Sequence, residues 1–254
     1  MRCDWATAMV FSAAAAAPCC AQAQWKTPWD YQGSRGPEHW SALDTAYAAC
    51  NNGREQSPID IRAVTKADLP ALRFDYTSAP IEGLTDNGKT IRVNYHGPRN
   101  DNVLIVGADR YRLTQFHFHR PAEELVNGKR YDMVLHLMHA ASDGRIAGVA
   151  VFLTAGKANA TIQRLWDHMP TVVGKEESIP GVDVDPSGLL PRDAAYYMYA
   201  GSLTAPPCTE GVTWFVLETP VEISAAQIAA FAKRYPGDVR PVQPLNGRVV
   251  KVRR

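Results

Sequence analysis

From residue 90 onward the chain alternates short runs of β-branched and aromatic residues with turn signals. The runs are Thr90–Tyr95, Asn102–Val106, Arg112–Phe118, Met133–His139, Ile146–Thr154 and Val212–Glu218, punctuated as at Asp86-Asn87-Gly88 and His96-Gly97-Pro98. Such spacing predicts a sheet of short strands. Two segments switch to a helical period. Ile162, Leu165, Trp166 and Met169 recur at helical spacing before Pro170, and Ser224 with Gln227 forms a capping box opening a run with Ile228 and Phe231 on one side. Pro206-Pro207 and the Pro/Gly-rich stretch from Ile179 to Pro191 read as loops. The fold class that follows is mostly β (α+β): one domain with short peripheral helices.

The N-terminus follows a different rule. Met1 to Ala23 has a short charged start, an apolar stretch from about Trp5 to Ala17, and a small-residue end at Ala21-Gln22-Ala23. That is the layout of a secretory signal peptide, and the apolar stretch is shorter than the roughly 20 residues a membrane span needs. Cleavage after Ala23 is expected, with 1–23 removed, 24–254 forming the mature domain and the product periplasmic or secreted. Lipid attachment at Cys19 or Cys20 is the alternative. With 27 Lys+Arg against 26 Asp+Glu in 254 residues, the balance argues against a nucleic-acid or anionic-membrane binder, which needs a concentrated basic surface. Three of the five cysteines leave with the signal segment, and Cys50 and Cys208 remain. An even pair in an exported protein reads as one disulfide, the alternative being two buried thiols.

Four of the seven histidines fall between residues 117 and 139, inside apolar runs. In Gln115-Phe-His-Phe-His119 the strand period of two puts Gln115, His117 and His119 on one face, with Phe116 and Phe118 on the other. The same parity places Val134, His136 and Met138 together and turns His139 away. A third imidazole from a neighbouring strand would complete a three-His site. Three neutral imidazoles suit zinc and leave a fourth position open, as catalytic rather than structural zinc sites do. His39, His96, His139 and His168 read as ordinary core or surface residues.

With these residues in view, the chain resembles the α-class carbonic anhydrases, in particular their exported bacterial members. The resemblance is an ordered series: Gly36-Pro-Glu-His-Trp40, Gln56-Ser-Pro-Ile-Asp60, Tyr111-Arg-Leu-Thr-Gln-Phe-His-Phe-His119, His136-Leu-Met-His139, Gly201-Ser-Leu-Thr-Ala-Pro-Pro-Cys208, Val212-Thr-Trp214 and Arg240-Pro-Val-Gln-Pro-Leu245. It implies a central, mostly antiparallel twisted sheet of about ten strands, one zinc per chain, and reversible hydration of carbon dioxide to bicarbonate by zinc-bound hydroxide. The family pattern makes His117, His119 and His136 the zinc ligands, and Gln115 an acceptor that orients one of the ligand rings. Thr204 becomes the hydroxyl that orients the attacking oxygen, and Glu123 the carboxylate that takes the Thr204 proton. The pattern also implies a substrate pocket of Leu203, Val212, Trp214, Met138 and Gly148, and a proton and water network through Tyr31, Asn87 and Lys89. Cys50 and Cys208 match the family disulfide, which ties an early loop to the loop of Thr204. A homodimer is compatible with the resemblance; a nucleic acid or a membrane span is not part of it.

The sequence also departs from the family. Val134 stands where the family usually has a glutamate supporting the third ligand, so His136 needs a backbone carbonyl, a water or another side chain. Losing such a partner typically costs about 10–100-fold in metal affinity or activity, and weaker zinc retention is the expectation. Lys89 stands where efficient members carry a proton-shuttle histidine, and a lysine is a poorer proton carrier at neutral pH than an imidazole. Ala205 and Gly148 replace larger or more polar residues, implying a wider pocket, and Asp238 replaces an asparagine. Of these changes, Val134 alone gives weight to a second reading, a zinc-binding relative with little or no turnover.

Overall fold

The structure is a computed structural model that describes residues 27–96, 100–193 and 195–254. All six hydrophobic runs are strands, at Ile91–Asn94, Val103–Val106, Asp109–His119, Met133–Ala140, Ile146–Ala155 and Glu210–Ile223. They belong to a 12-stranded sheet. Its main path runs Glu176–Val184, Ala79–Asp86, Ile91–Asn94, Asp109–His119, Met133–Ala140, Ile146–Ala155, Glu210–Ile223, Tyr196–Ser202, Val250–Arg253, Val64–Lys66. Leu72–Asp75 and Val103–Val106 pair beside that path. Neighbours along it are antiparallel except Ile146–Ala155 with Glu210–Ile223 and Val250–Arg253 with Val64–Lys66, which are parallel.

The two faces of the sheet carry separate cores because side chains alternate. Phe116, Phe118, Leu135, Leu137, Val149 and Val151 lie on one face, beneath Ile162, Trp166 and Phe231 of the helices Ala160–Trp166 and Ala225–Arg234. Val134, Met138, Ala150, Phe152, Trp214 and Val216 lie on the other. Met133–Ala140 and Ile146–Ala155 are buried along almost their whole length, so they read as continuous apolar runs rather than alternating ones. Each large apolar side chain buried this way contributes roughly 1.5–3 kcal/mol.

The capping box at Ser224 forms as the pattern predicts. Ser224 Oγ accepts from the Gln227 backbone and Gln227 Oε1 accepts from the Ser224 backbone. Gln227 also bonds both backbone groups of Asn159, the cap of the other helix, so one side chain ties the two helix starts together. That other helix ends at Trp166, and Met169 packs on the core just beyond it.

The stretch from Ile179 to Pro191 is not a loop throughout. Glu176–Val184 is an edge strand on Ala79–Asp86, followed by the short 3-10 turn Pro186–Leu189. Its register shifts between Ile179 and Asp183, which lets Pro180 and Gly181 sit in a bulge with Gly181 at φ +77°. Proline without an N–H is tolerated on such an edge. The proposed signal segment 1–23 lies outside the described residues.

Candidate metal centre

Strand pairing assembles the three histidines. Asp109–His119 and Met133–Ala140 are antiparallel neighbours in which His136 stands directly opposite His117, and Val134 opposite His119. Period-two alternation therefore brings three imidazoles onto one face from two adjacent strands. Their donor nitrogens all lie within 4.8 Å of one another, and among the described residues this is the one cluster of three such ligands. His117–His119 and His119–His136 ring centroids are both 4.9 Å apart.

The second nitrogen of each ring has its own acceptor. His117 Nδ1 donates to Gln115 Oε1 at 2.8 Å, and His119 Nδ1 to the Asp238 carbonyl at 2.6 Å. His136 Nε2 faces Glu124, 3.2 Å from Oε1 and 3.3 Å from Oε2. Because a carbonyl or carboxylate oxygen can only accept, these contacts put a proton on that nitrogen and leave a lone pair on the other. His119 Nε2 and His136 Nδ1 are indeed buried without a hydrogen-bond partner. Buried orphan nitrogens are costly, and a cation at the point they share satisfies them. The residues fit a zinc ion.

Burial, with repulsion from neighbouring imidazoles, holds His117 and His119 well below the usual histidine range. Neutral imidazole is the form that ligates. Burial works against the charged form of His136 too, but the Glu124 carboxylate outweighs it and raises that group. Glu123 is fully buried, and desolvation pushes it up to about 7 against the neighbouring His136. Its Oε1 accepts from the Arg240 backbone N–H at 2.8 Å, and a hydrogen bond from the Thr204 side chain favours its ionised form.

The histidines form the floor of a cleft bordered by Tyr31, Asn87, Lys89, Gln115, Met138, Leu203, Thr204 and Trp214. Trp214 packs on His136 with centroids 4.7 Å apart and is fixed by its Nε1–H to the Ser202 carbonyl. Lys89 Nζ is held at the rim, 3.7 Å from Asp30 Oδ1 and 4.8 Å above the Trp29 ring. Asn87 Oδ1 accepts from the backbone N–H groups of Lys89 and Thr90, so its carbonyl is spent on the turn around Gly88. Tyr31 stands edge-on to His119 at 6.5 Å.

Two pocket expectations need correction. Gly148 does not open the cleft: a Cβ there would meet the Trp214 ring at 2.7 Å, so the indole already fills that space. Val212 is buried in the core cluster around Trp214 and lies outside the cleft lining.

Two contributors escaped the sequence reading. Glu124 is one; nothing local ties it to His136, 12 residues away. Arg92 is the other, directly opposite His117 in the sheet and lining the cleft. Parity could have found it, since Ile91 and Val93 point into the core.

The Thr204 loop is anchored behind the cleft. Cys50 and Cys208 are joined by a disulfide of S–S 2.06 Å, packed with Trp29, Trp40 and Tyr47. Arg240 is buried and donates to the Cys50 carbonyl, the Ser57 carbonyl and Gln56 Oε1. The same residue that holds Glu123 through its backbone thus holds the disulfide loop through its guanidinium.

Comparison with known proteins agrees with this geometry. Residues 35–254 match the family model described as eukaryotic-type carbonic anhydrase. A carbonic anhydrase of Nostoc is 42% identical over 227 residues, covering 87% of this chain and 84% of the relative. One from Klebsiella pneumoniae is 44% identical over 223 residues, covering 87% and 89%. The α-carbonic anhydrase of Thermovibrio ammonificans, solved with the inhibitor sulfanilamide, superposes with a TM-score of 0.83 at 40% identity, over 89% of this chain and 99% of that one. With the sheet, the three-histidine floor and these matches in agreement, the chain belongs to the eukaryotic-type (α) carbonic anhydrase family.

Proposed function

We propose that the chain catalyses the reversible hydration of carbon dioxide to bicarbonate and a proton, with one zinc ion held by His117, His119 and His136. The observation that carries this reading is the convergence of three imidazoles whose outer nitrogens are all occupied and whose inner nitrogens face one point. Zinc bound there supplies Lewis acidity that makes hydroxide available at about pH 7.

The protein's own residues do the rest. Glu123, held by the Arg240 N–H, takes the hydrogen of the Thr204 hydroxyl. Thr204 Oγ1 then acts as donor toward Glu123 and presents its lone pair to the cleft floor, which fixes the orientation of an attacking oxygen there. Leu203, Met138 and Trp214 form an apolar wall on which carbon dioxide can lie without competing for hydrogen bonds. The Thr204 backbone N–H serves a substrate oxygen. Lys89, pinned by Asp30 and Trp29, leaves proton export to buffer.

A stopped-flow hydration assay on protein of measured zinc content tests the reading, with sulfanilamide as an inhibitor control. Stoichiometric zinc with no hydration above buffer sinks it. The alternative of little or no turnover rested on Val134, and the Glu124 contact to His136 removes that support.

The Cys50–Cys208 disulfide fits an exported protein, and no described helix is long and apolar enough to cross a membrane. We further propose cleavage after Ala23, a mature domain of residues 24–254 and a periplasmic or secreted location. N-terminal sequencing of protein recovered from the periplasm and the medium checks both.

A further inference from the structure

We propose that Glu124 is the positioning residue for His136, a carboxylate supplied from a loop in place of one on the ligand's own strand. This rests on the zinc-site reading above. Val134 precedes His136 by two residues and shares its face, but it is a buried valine among Phe152, Ile59 and Ile61 and offers no acceptor. The acceptor comes instead from the segment after Pro121. Both oxygens of Glu124 lie within 3.3 Å of His136 Nε2, and the side chain is completely buried.

The loop is held firmly enough to do this. The Ala122 N–H donates to the Tyr131 carbonyl, and the Leu125 N–H to the Ile59 carbonyl. Leu125–Val126 then pairs in parallel with Asp60–Ile61. Glu124 is thus clamped on both sides by backbone bonds, while its neighbour Glu123 gives Oε1 to the Arg240 N–H, is hydrogen-bonded by the Thr204 side chain, and keeps Oε2 on the inner side of the rings, 3.5 Å from His119 Nε2 and 3.9 Å from His136 Nδ1. One dipeptide therefore serves two separate tasks, with Glu123 setting the Thr204 hydroxyl and Glu124 setting the His136 tautomer. A carboxylate facing Nε2 keeps that nitrogen protonated and His136 Nδ1 free, and makes the imidazole a stronger donor to a metal.

Val134 and Glu124 are then alternatives for one function. Zinc release into a chelator is the test, with cobalt-substituted spectra as a second readout. Glu124→Ala is expected to raise the zinc dissociation rate about 10–100-fold and to shift the cobalt absorption bands. Glu124→Gln, which keeps the shape and a neutral acceptor, is expected to fall between it and the parent. Adding Val134→Glu to Glu124→Ala is expected to restore slow release to within a few fold. Val134→Glu alone is expected not to slow release, because a second buried carboxylate meets the first. Release from Glu124→Ala and Glu124→Gln within twofold of the parent, with unchanged cobalt spectra, would overturn the proposal. If Glu124→Ala fails to fold, Glu124→Gln and its cobalt spectrum decide alone. A parent protein that takes up no zinc contradicts the zinc-site reading itself, whereas zinc bound equally well without Glu124 contradicts this inference alone.

Discussion

Breaking the Cys50–Cys208 link is the sharpest test of how the cleft is held. The two cysteines are 158 residues apart in sequence. In the chain-entropy relation, a loop of that size removes about 17 cal/mol/K from the unfolded ensemble, or about 5 kcal/mol at 25 °C. Domains of this kind are stable by only about 5–15 kcal/mol in total, so this one bond supplies a third or more of the margin. The perturbation is the double replacement Cys50→Ala with Cys208→Ala. Alanine is preferred to serine because Cys208 is fully buried, where a hydroxyl would need a new partner. The assay is equilibrium urea unfolding with excess chelator, since bound zinc would add its own stabilisation by mass action. The expected result is a loss of about 4–5 kcal/mol and a modestly larger denaturant slope, as the unlinked unfolded chain exposes more surface. Hydration activity of the zinc-loaded variant is expected to fall as well, because the Cys208 carbonyl accepts from Gln56, which also binds Arg240. A loss under about 1 kcal/mol in the metal-free protein would refute the entropic account.

Four further outcomes are expected. His139 is buried, with Tyr76 Oη 2.6 Å from its Nε2, and burial pushes it down to about 3. A folded pKa below the unfolded value of about 6.5 means that its contribution is present above pH 6.5 and is lost as pH falls toward 3, by about 3 kcal/mol at pH 4. Chelator-treated His139→Gln is accordingly expected to lose about 3 kcal/mol less than the parent between pH 7 and pH 4, and parallel stability curves would contradict this. Thr204→Ala is expected to lower kcat/KM about 100-fold with zinc content unchanged, as for removal of one oriented group at a reacting centre; stopped-flow rates with metal analysis check it. Raising imidazole buffer is expected to increase kcat in the parent, and Lys89→His to make kcat less dependent on buffer; a parent rate indifferent to imidazole would point to another proton path. Gly148→Val is expected to cost about 1–3 kcal/mol in thermal or urea unfolding because the added atoms strike the Trp214 ring, whereas unchanged stability would show that the indole can move.

What could be read directly from the residues was whatever depends on spacing along the backbone. Period-two alternation put His117 and His119 on one face and turned His139 to the other, and the structure places His139 beside Tyr76 on the far side. The capping box at Ser224 and the six strands were equally local signals. The resemblance supplied what spacing could not, including the role offered for Thr204.

Other features were decided by the tertiary structure alone. Gly148 looked like an opening, yet the space belongs to Trp214, brought over it by the parallel pairing of Ile146–Ala155 with Glu210–Ile223. Val134 looked like a missing support for His136, yet Glu124 fills the role from a loop. Asp238 meets His119 Nδ1 through its backbone carbonyl at 2.6 Å and brings its carboxylate to 3.5 Å of the same nitrogen, which no local pattern signals. The physical reason is common to all three. Backbone periodicity fixes which way a side chain points, but which atom occupies the space it points into depends on strands and loops distant in the chain.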